Sequence, residues 1–143
     1  MFKYFSISIS AFYRNIRAYF VYRGPVLDAF FCAIALHGDQ KRKYTGEPYW
    51  FHLDDVAFTL YRIGQRDPHI LSAALLHDSV EDVPHVTLDH LLIFCTLTKK
   101  DFPNYGLVPE RIVKLVRELT DVYVKIDFPH LNRAQRKALE LKR

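Results

Sequence analysis

The spacing of apolar and polar positions after residue 24 predicts a succession of helices. Apolar side chains recur three or four residues apart in each segment, as they do on a helix that packs one face against a core. No stretch alternates between apolar and polar residues in the way a half-buried strand does. We expect helices at about 25–36, 50–63, 68–82, 88–95, 109–119 and 133–143. The pattern therefore predicts an all-α fold.

Residues that start and stop helices support these boundaries. Proline and short polar side chains suit the first turn or the cap of a helix, whereas glycine and proline end one. Start signals stand at Pro25, Asp67, Thr87, Pro109 and Asn132, and stop signals at Gly64 and Pro84. The polar segment 37–49 contains Gly46 and Pro48, so we expect it to be a loop.

The first 24 residues differ in composition from the rest of the chain. They carry four basic residues, no acidic residue and many aromatic side chains. Their longest uncharged run, 4–13, is too short to span a bilayer. A signal peptide or an organellar presequence is a weaker alternative. We expect 1–24 to be an N-terminal extension of unknown role, and 25–143 to form a single domain.

Composition narrows the class of protein further. A chain of 143 residues, half of them apolar, is large enough for one domain with a hydrophobic core. Cys32 and Cys95 both lie among apolar residues, which favours free thiols in a reducing compartment, and we expect a cytoplasmic protein. The net charge of +4 suits an anionic ligand. The basic residues are too scattered for a nucleic-acid groove, so we do not expect nucleic acid as a partner. We also expect no membrane partner, because the longest uncharged run of 1–24 is too short to span a bilayer.

The segment 71–82 gathers one imidazole and three carboxylates. At about 100° per helical residue, His77, Asp78, Glu81 and Asp82 fall within an arc of about 140°. Buried together without a cation these groups would be costly, so the arrangement predicts a metal site. The alternative is a solvated acidic face, against which the apolar residues just before His77 argue.

His52, at the start of the second predicted helix, is the best further ligand, because the aromatic residues beside it would exclude water. Mixed imidazole and carboxylate ligation suits Mn²⁺, Fe²⁺ or Zn²⁺ better than Ca²⁺. One turn beyond the ligands, Glu81 and Asp82 could orient a water molecule or carry its proton. The basic triplet 41–43 could bind a phosphate or stack on a base, and could equally be a solvated loop.

Four sequence blocks carry a resemblance to a known family. They are His37-Gly-Asp-Gln-Lys-Arg-Lys43, Gly46-Glu-Pro-Tyr-Trp-Phe-His52, Ala73-Ala-Leu-Leu-His-Asp-Ser-Val-Glu-Asp82 and Glu118-Leu-Thr-Asp121. In this order they resemble the motifs of the hydrolase domain of RelA/SpoT-type proteins and of small alarmone hydrolases. These proteins belong to the HD superfamily of metal-dependent phosphohydrolases. The resemblance runs from about residue 26 to the end of the chain.

The resemblance implies a compact all-helical HD-domain bundle that binds a divalent metal, typically Mn²⁺. It implies removal of the 3′-pyrophosphate from guanosine tetra- or pentaphosphate, so a guanine nucleotide is the expected substrate. By resemblance, the site residues are the metal ligands His52, His77 and Asp78, the catalytic pair Glu81 and Asp82, and the nucleotide-binding pair Arg42 and Lys43.

The chain departs from the family's pattern in two places. The family's fourth metal ligand is an aspartate in a later Lys-Leu-Ala-Asp motif, and the sequence ends before that motif. We therefore expect an HD domain that lacks its last helices, and we do not assign Asp121 of the earlier block as the fourth ligand. Residues 92–108 are longer than the family's connection and predict an insertion.

These departures keep two alternatives open. One is a truncated, non-catalytic HD module that binds a nucleotide or a partner, and the other is an HD hydrolase of a different nucleotide. In a truncated module, the exposed apolar side of the helices at 109–119 and 133–143 would favour aggregation or a homo-oligomer such as a dimer.

Overall fold

Every regular element in the part of the chain that the structure describes is helical. The computed structural model describes residues 2–121 and 128–142. Its α-helices are α1 (Phe2–Val21), α2 (Pro25–His37), α3 (Trp50–Arg62), α4 (Pro68–Leu76), α5 (Ser79–Asp82), α6 (Leu88–Asp101), α7 (Pro109–Leu119) and α8 (Arg133–Glu140). A 3₁₀ turn lies at Pro103–Tyr105, and an isolated bridge pairs Lys41 with Pro48. The all-α prediction is confirmed.

Helix α4 lies at the centre of the bundle, packed against α2, α3 and α7. Seven of its nine residues are buried, and the side chains of Leu75 and Leu76 are fully enclosed. Ala73 and Ala74 are small, so the neighbouring helices can approach the α4 backbone closely. The end of α4 is therefore held from several sides, and His77 follows it directly.

A buried ion cluster joins α1 to α3. The fully buried carboxylate of Asp54 accepts hydrogen bonds from Arg14 at 2.7 Å, from Arg17, and from the Tyr22 hydroxyl at 2.8 Å. Ala18 and Tyr22 also belong to the hydrophobic core. Helix α1 thus packs on the same core as α2 and α3, while the boundary at residue 24 and the role of 1–24 stay predictions.

No helix among the described residues is both long enough and apolar enough to cross a membrane. Helix α1 has sufficient length, but charged residues and serines interrupt its apolar side chains. This finding concerns helices within 2–121 and 128–142 alone.

Three predicted helices match the structure closely. Helices α2, α3 and α7 begin at the predicted residues and end within one residue of the predicted ends. Proline in the first turn of α2 and α7 fixes a helical φ at a position where the backbone N–H needs no partner. The sequence could therefore predict where these two helices begin.

The fourth predicted helix was too short. Helix α6 continues to Asp101 because its buried stripe continues through Leu91, Cys95 and Thr98. The Thr98 hydroxyl, inside the apolar face, is satisfied by donating to the Phe94 carbonyl at 3.0 Å. The first part of the segment predicted as an insertion is therefore an extension of α6.

Candidate metal centre

The structure brings His52, His77 and Asp78 together. Each offers one ligand atom, and these atoms all lie within 4.8 Å of one another. Asp78 Oδ1 lies 3.1 Å from His77 Nε2, and Asp78 Oδ2 lies 3.7 Å from His52 Nε2. Within the described ranges this is the one group of three or more such side chains with the spacing of a metal site.

Two neighbouring elements position the three side chains. His52 lies in the first turn of α3, where the N–H of His52 donates to the Tyr49 carbonyl at 3.0 Å. His77 and Asp78 form the turn between α4 and α5. Because α3 packs directly against α4, residues that are 25 positions apart in sequence meet at one end of the pair.

The continuous helix predicted over 68–82 is wrong. Regular α-helix ends at Leu76 and resumes as the short α5 at Ser79, so His77 and Asp78 lie in a turn. The ring of His77 bonds to the Ala74 carbonyl at 2.7 Å, and a side chain that takes a backbone carbonyl competes with the helical ladder. The helical-wheel argument therefore grouped His77 and Asp78 with Glu81 and Asp82 on a continuous helix that the structure does not contain.

The contact with Ala74 also determines which nitrogen of His77 faces the site. Since a carbonyl can only accept, Nδ1 must carry the hydrogen. A neutral His77 then presents the lone pair of Nε2 towards Asp78. A hydrogen bond of this kind to the backbone is how metal-binding histidines are usually oriented.

Tyr49 supports the site in a way that sequence reasoning missed. Its aromatic ring was predicted to exclude water, but its hydroxyl also donates to Asp78 Oδ2 at 2.7 Å. The ring stacks on His37, with 5.0 Å between centroids, and His37 Nδ1 contacts Gln40 Oε1 at 2.8 Å. The spacing of Tyr49 and His52, one helical turn apart, is the signal that could have placed both beside one ligand.

The electrostatics of the cluster favour the cation-binding forms of Asp78 and His52, but the protonated form of His77. Burial disfavours the charged form of Asp78, but the hydrogen bond and charge of His77 outweigh it and lower the pKa of Asp78. Burial lowers the pKa of His52, which favours the neutral imidazole. For His77 burial is outweighed by the hydrogen bond and charge of Asp78, so its pKa is raised. A cation must therefore compete with a proton at His77.

The predicted catalytic pair lies on α5, next to the cluster. Burial raises the pKa of Glu81, and the negative charges of Asp121, Asp82 and Asp78 raise it further. A hydrogen bond from the Asp121 N–H to Glu81 Oε2, at 3.1 Å, acts in the opposite direction. Burial also raises the pKa of Tyr49, and the carboxylates of Asp82 and Asp78 raise it further. Asp82 therefore lies on the same side of the site as the Tyr49 hydroxyl.

Asp121 serves a different purpose from the three clustered residues. Its N–H binds Glu81, and its carboxylate forms an ion pair with Lys137 of α8. It is not a member of the cluster of His52, His77 and Asp78. Asp121 thus links α5 and α8, in keeping with the decision not to assign it as a ligand.

The predicted nucleotide-binding pair lies on the exposed loop between α2 and α3. Backbone hydrogen bonds close this loop, from Arg42 N–H to the Glu47 carbonyl at 2.8 Å and from Tyr49 N–H to the Gln40 carbonyl at 2.9 Å. Burial is the largest cause of the lowered pKa of His52, and the positive charge of Arg42 lowers that pKa further. Lys43 lies over the exposed ring of Tyr44, 5.5 Å from its centroid. The loop therefore holds the positive charge of Arg42 close enough to act on His52.

The donor set fits a divalent transition-metal ion. Two imidazoles and one carboxylate are borderline and hard ligands of the kind that Mn²⁺, Fe²⁺ and Zn²⁺ accept. The oriented ring of His77 and the hydrogen-bonded carboxylate of Asp78 supply the outer interactions that such sites normally have. Together the fold and these donors define an all-helical domain with a candidate metal centre.

Comparison with known proteins extends this definition. Residues 29–138, well over half of the chain, match a family model described as HD domain. The chain therefore belongs to the HD domain family, a lineage of metal-dependent phosphohydrolases. It is also 38% identical over 86 residues to a guanosine-3′,5′-bis(diphosphate) 3′-pyrophosphohydrolase of Aquifex aeolicus (strain VF5). That match covers 60% of this chain and 10% of the relative, so the chain corresponds to a small part of that protein.

Removing the hydroxyl of Tyr49 tests whether it orients Asp78. We expect Tyr49→Phe to weaken Mn²⁺ binding by about 10-fold, since outer hydrogen bonds to ligands typically contribute 10- to 100-fold in affinity. Isothermal titration calorimetry with Mn²⁺ measures the change. Tyr44→Phe removes the same group from an exposed ring of the same loop and should leave the affinity unchanged. Equal affinities for the two variants would contradict this role for Tyr49.

Proposed function

We propose that this chain provides the catalytic core of a metal-dependent pyrophosphohydrolase that removes the 3′-pyrophosphate of guanosine tetra- or pentaphosphate. The observation that carries the proposal is the cluster of His52, His77 and Asp78, with an acidic pair on the adjoining α5 and a basic loop whose Arg42 acts on His52. The printed activity of the Aquifex relative supports this substrate. The expected ion is Mn²⁺, which accepts mixed imidazole and carboxylate ligands.

The metal would be held by His52, His77 and Asp78. When bound, a divalent ion supplies Lewis acidity for a phosphoryl group and lowers the pKa of water beside it. Tyr49 and the Ala74 carbonyl hold Asp78 and His77 in orientation. Metal identity and substrate are thus separate parts of the proposal and are tested separately.

Glu81 is the candidate for proton transfer. A carboxyl group whose pKa is raised towards neutrality can both take a proton from water and return it to a leaving oxygen. The burial of Glu81 and the carboxylates around it act in this direction, and the Asp121 N–H fixes one of its oxygens. Asp82, beside the Tyr49 hydroxyl, completes an acidic edge that orients water on the same side.

Arg42 and Lys43 are the candidates for substrate recognition. A guanidinium binds phosphate oxygens through two parallel hydrogen bonds or stacks on a base, and an ammonium group adds a point charge. Both residues lie on a loop whose backbone is closed by hydrogen bonds, so their side chains stand on a defined support. Their exposure leaves them accessible to a polyanionic nucleotide.

The test is pyrophosphate release from guanosine tetraphosphate in the presence of Mn²⁺, compared with release from GTP and ATP. We expect turnover of the tetraphosphate alone, and a KM about 10- to 100-fold higher for Arg42→Ala, the loss expected for hydrogen bonds to a charged group. Arg62→Ala removes an exposed arginine at the far end of α3 and should leave the KM unchanged.

The outcomes separate the parts of the proposal. Turnover of a different nucleotide would retain the hydrolase and reject the substrate. Mn²⁺ binding by a folded chain without turnover of any nucleotide would favour a non-catalytic HD module. Equal KM values for Arg42→Ala and Arg62→Ala would remove Arg42 from substrate recognition.

A further inference from the structure

Helix α1 exposes a large apolar face. Six bulky side chains along it are between 43% and 73% exposed: Ile9, Phe12, Tyr13, Ile16, Tyr19 and Phe20. At about 100° per residue, all six fall within an arc of about 120°. Tyr19 also contacts Phe31 of α2, with 5.7 Å between ring centroids, so the face continues onto a second helix.

The opposite face of α1 is already used inside the domain. Ala18 of α1 and Tyr22, which directly follows the helix, are buried in the core, and Arg14 and Arg17 bind the buried Asp54 of α3. This inner face fixes how α1 lies, so the helix cannot roll to bury its aromatic side. A helix that is apolar on both sides is normally covered on both sides.

We propose that this face is the interface of a homodimer, in which α1 of one copy packs against α1 of a second. Ile9, Tyr13, Ile16 and Phe20 follow one another at intervals of four, three and four residues, the spacing of the seam between two packed helices. The seam carries no charge, so nothing in it opposes pairing with an identical face about a two-fold axis.

The size of the face suits such a dimer. Aromatic side chains bury about 150–250 Å² each, so the exposed parts of Phe12, Tyr13, Tyr19 and Phe20 amount to roughly 500–600 Å². The two isoleucines and Phe31 add to this area. A stable interface buries about 800 Å² per partner, which is close to what the face provides.

Charge argues against a lipid surface as the occupant. Amphipathic helices that lie on membranes present lysines and arginines to anionic headgroups from their polar face. In α1, Arg14 and Arg17 point into the domain, where Asp54 and Asp55 neutralise them. A second copy of the chain needs no such cations.

Sedimentation equilibrium of the purified chain tests the proposal. We expect the mass of two 16.8-kDa chains across the micromolar range. The double variant Tyr13→Glu with Phe20→Glu places like charges across the interface, and should weaken association at least 100-fold, an effect of about 2.7 kcal/mol. Both residues are exposed, so circular dichroism should show an unchanged helical content.

A control and a second assay complete the test. Ile93→Glu alters an exposed isoleucine of α6 and should leave the dimer intact. A wild-type chain that sediments as a monomer would overturn the proposal, as would a double variant that remains dimeric. So would a monomer that floats with phosphatidylglycerol vesicles and loses this binding in the double variant, since the face would then contact lipid.

Discussion

Replacing Asp78 with alanine is expected to lower Mn²⁺ affinity by more than 100-fold and to remove Mn²⁺-dependent turnover. Asp78 is the anionic member of the cluster, and its two oxygens face both imidazoles, at 3.1 and 3.7 Å. Loss of an outer hydrogen bond to a ligand already weakens metal binding by 10- to 100-fold, so loss of the charged ligand should have a larger effect. Calorimetric titration with Mn²⁺ and pyrophosphate release measure the two consequences separately.

A matched variant shows whether the effect belongs to this position. Asp101→Ala removes a carboxylate from the exposed end of α6 and should leave both quantities unchanged. Mn²⁺ affinity of the wild type should also rise with pH, because the raised pKa of His77 means that a proton competes with the metal at lower pH. Full Mn²⁺ affinity in Asp78→Ala would place the ion elsewhere in the chain.

The residues of the cluster could be proposed from the sequence, but the distances between them could not. His77 and Asp78 are adjacent and follow an apolar run, so local spacing was sufficient to select them. His52 is 25 residues away, and only the packing of α3 against α4 brings it to the other two. Its selection depended on aromatic neighbours and on family resemblance, which carry no information about distance.

The turn at His77 and Asp78 could not be predicted from periodicity. The apolar spacing continues through 68–82, and φ and ψ at both residues remain in the right-handed helical region. Where the helix is interrupted, the ring of His77 bonds to the Ala74 carbonyl and so competes with the helical ladder. A competition of this kind depends on a rotamer that packing selects, and a helical wheel has no means of representing it.

The packing of the inner face of α1 against α3 also could not be predicted from the sequence alone. The sequence predicted only an N-terminal extension of unknown role for 1–24, whereas Arg14 and Arg17 bind a carboxylate about 40 positions later in the chain. Asp54 and Asp55 are adjacent and chemically identical, yet only Asp54 is buried while Asp55 is exposed. Nothing in the local sequence distinguishes the two. A buried charge is acceptable only where its partners are present, and these partners come from another helix.

This dependence leads to the second large effect, which is on folding. We expect Asp54→Ala to lower the free energy of unfolding by about 3–5 kcal/mol, the cost of removing one partner from a buried ion pair. The Asp54 side chain is fully buried, and its loss would leave two largely enclosed guanidinium groups and the Tyr22 hydroxyl without their shared acceptor. Urea denaturation followed by circular dichroism measures the change.

The neighbouring residue supplies the control. Asp55 forms one ion pair with Arg14, at 2.7 Å, but 55% of its side chain is exposed. Asp55→Ala should therefore cost only about 0–1 kcal/mol, as exposed pairs do. If both variants lost the same small amount, α1 would not depend on the buried carboxylate for its attachment. A large difference between adjacent aspartates would instead show that burial, and not charge alone, makes Asp54 the anchor of α1 on the helix that carries His52.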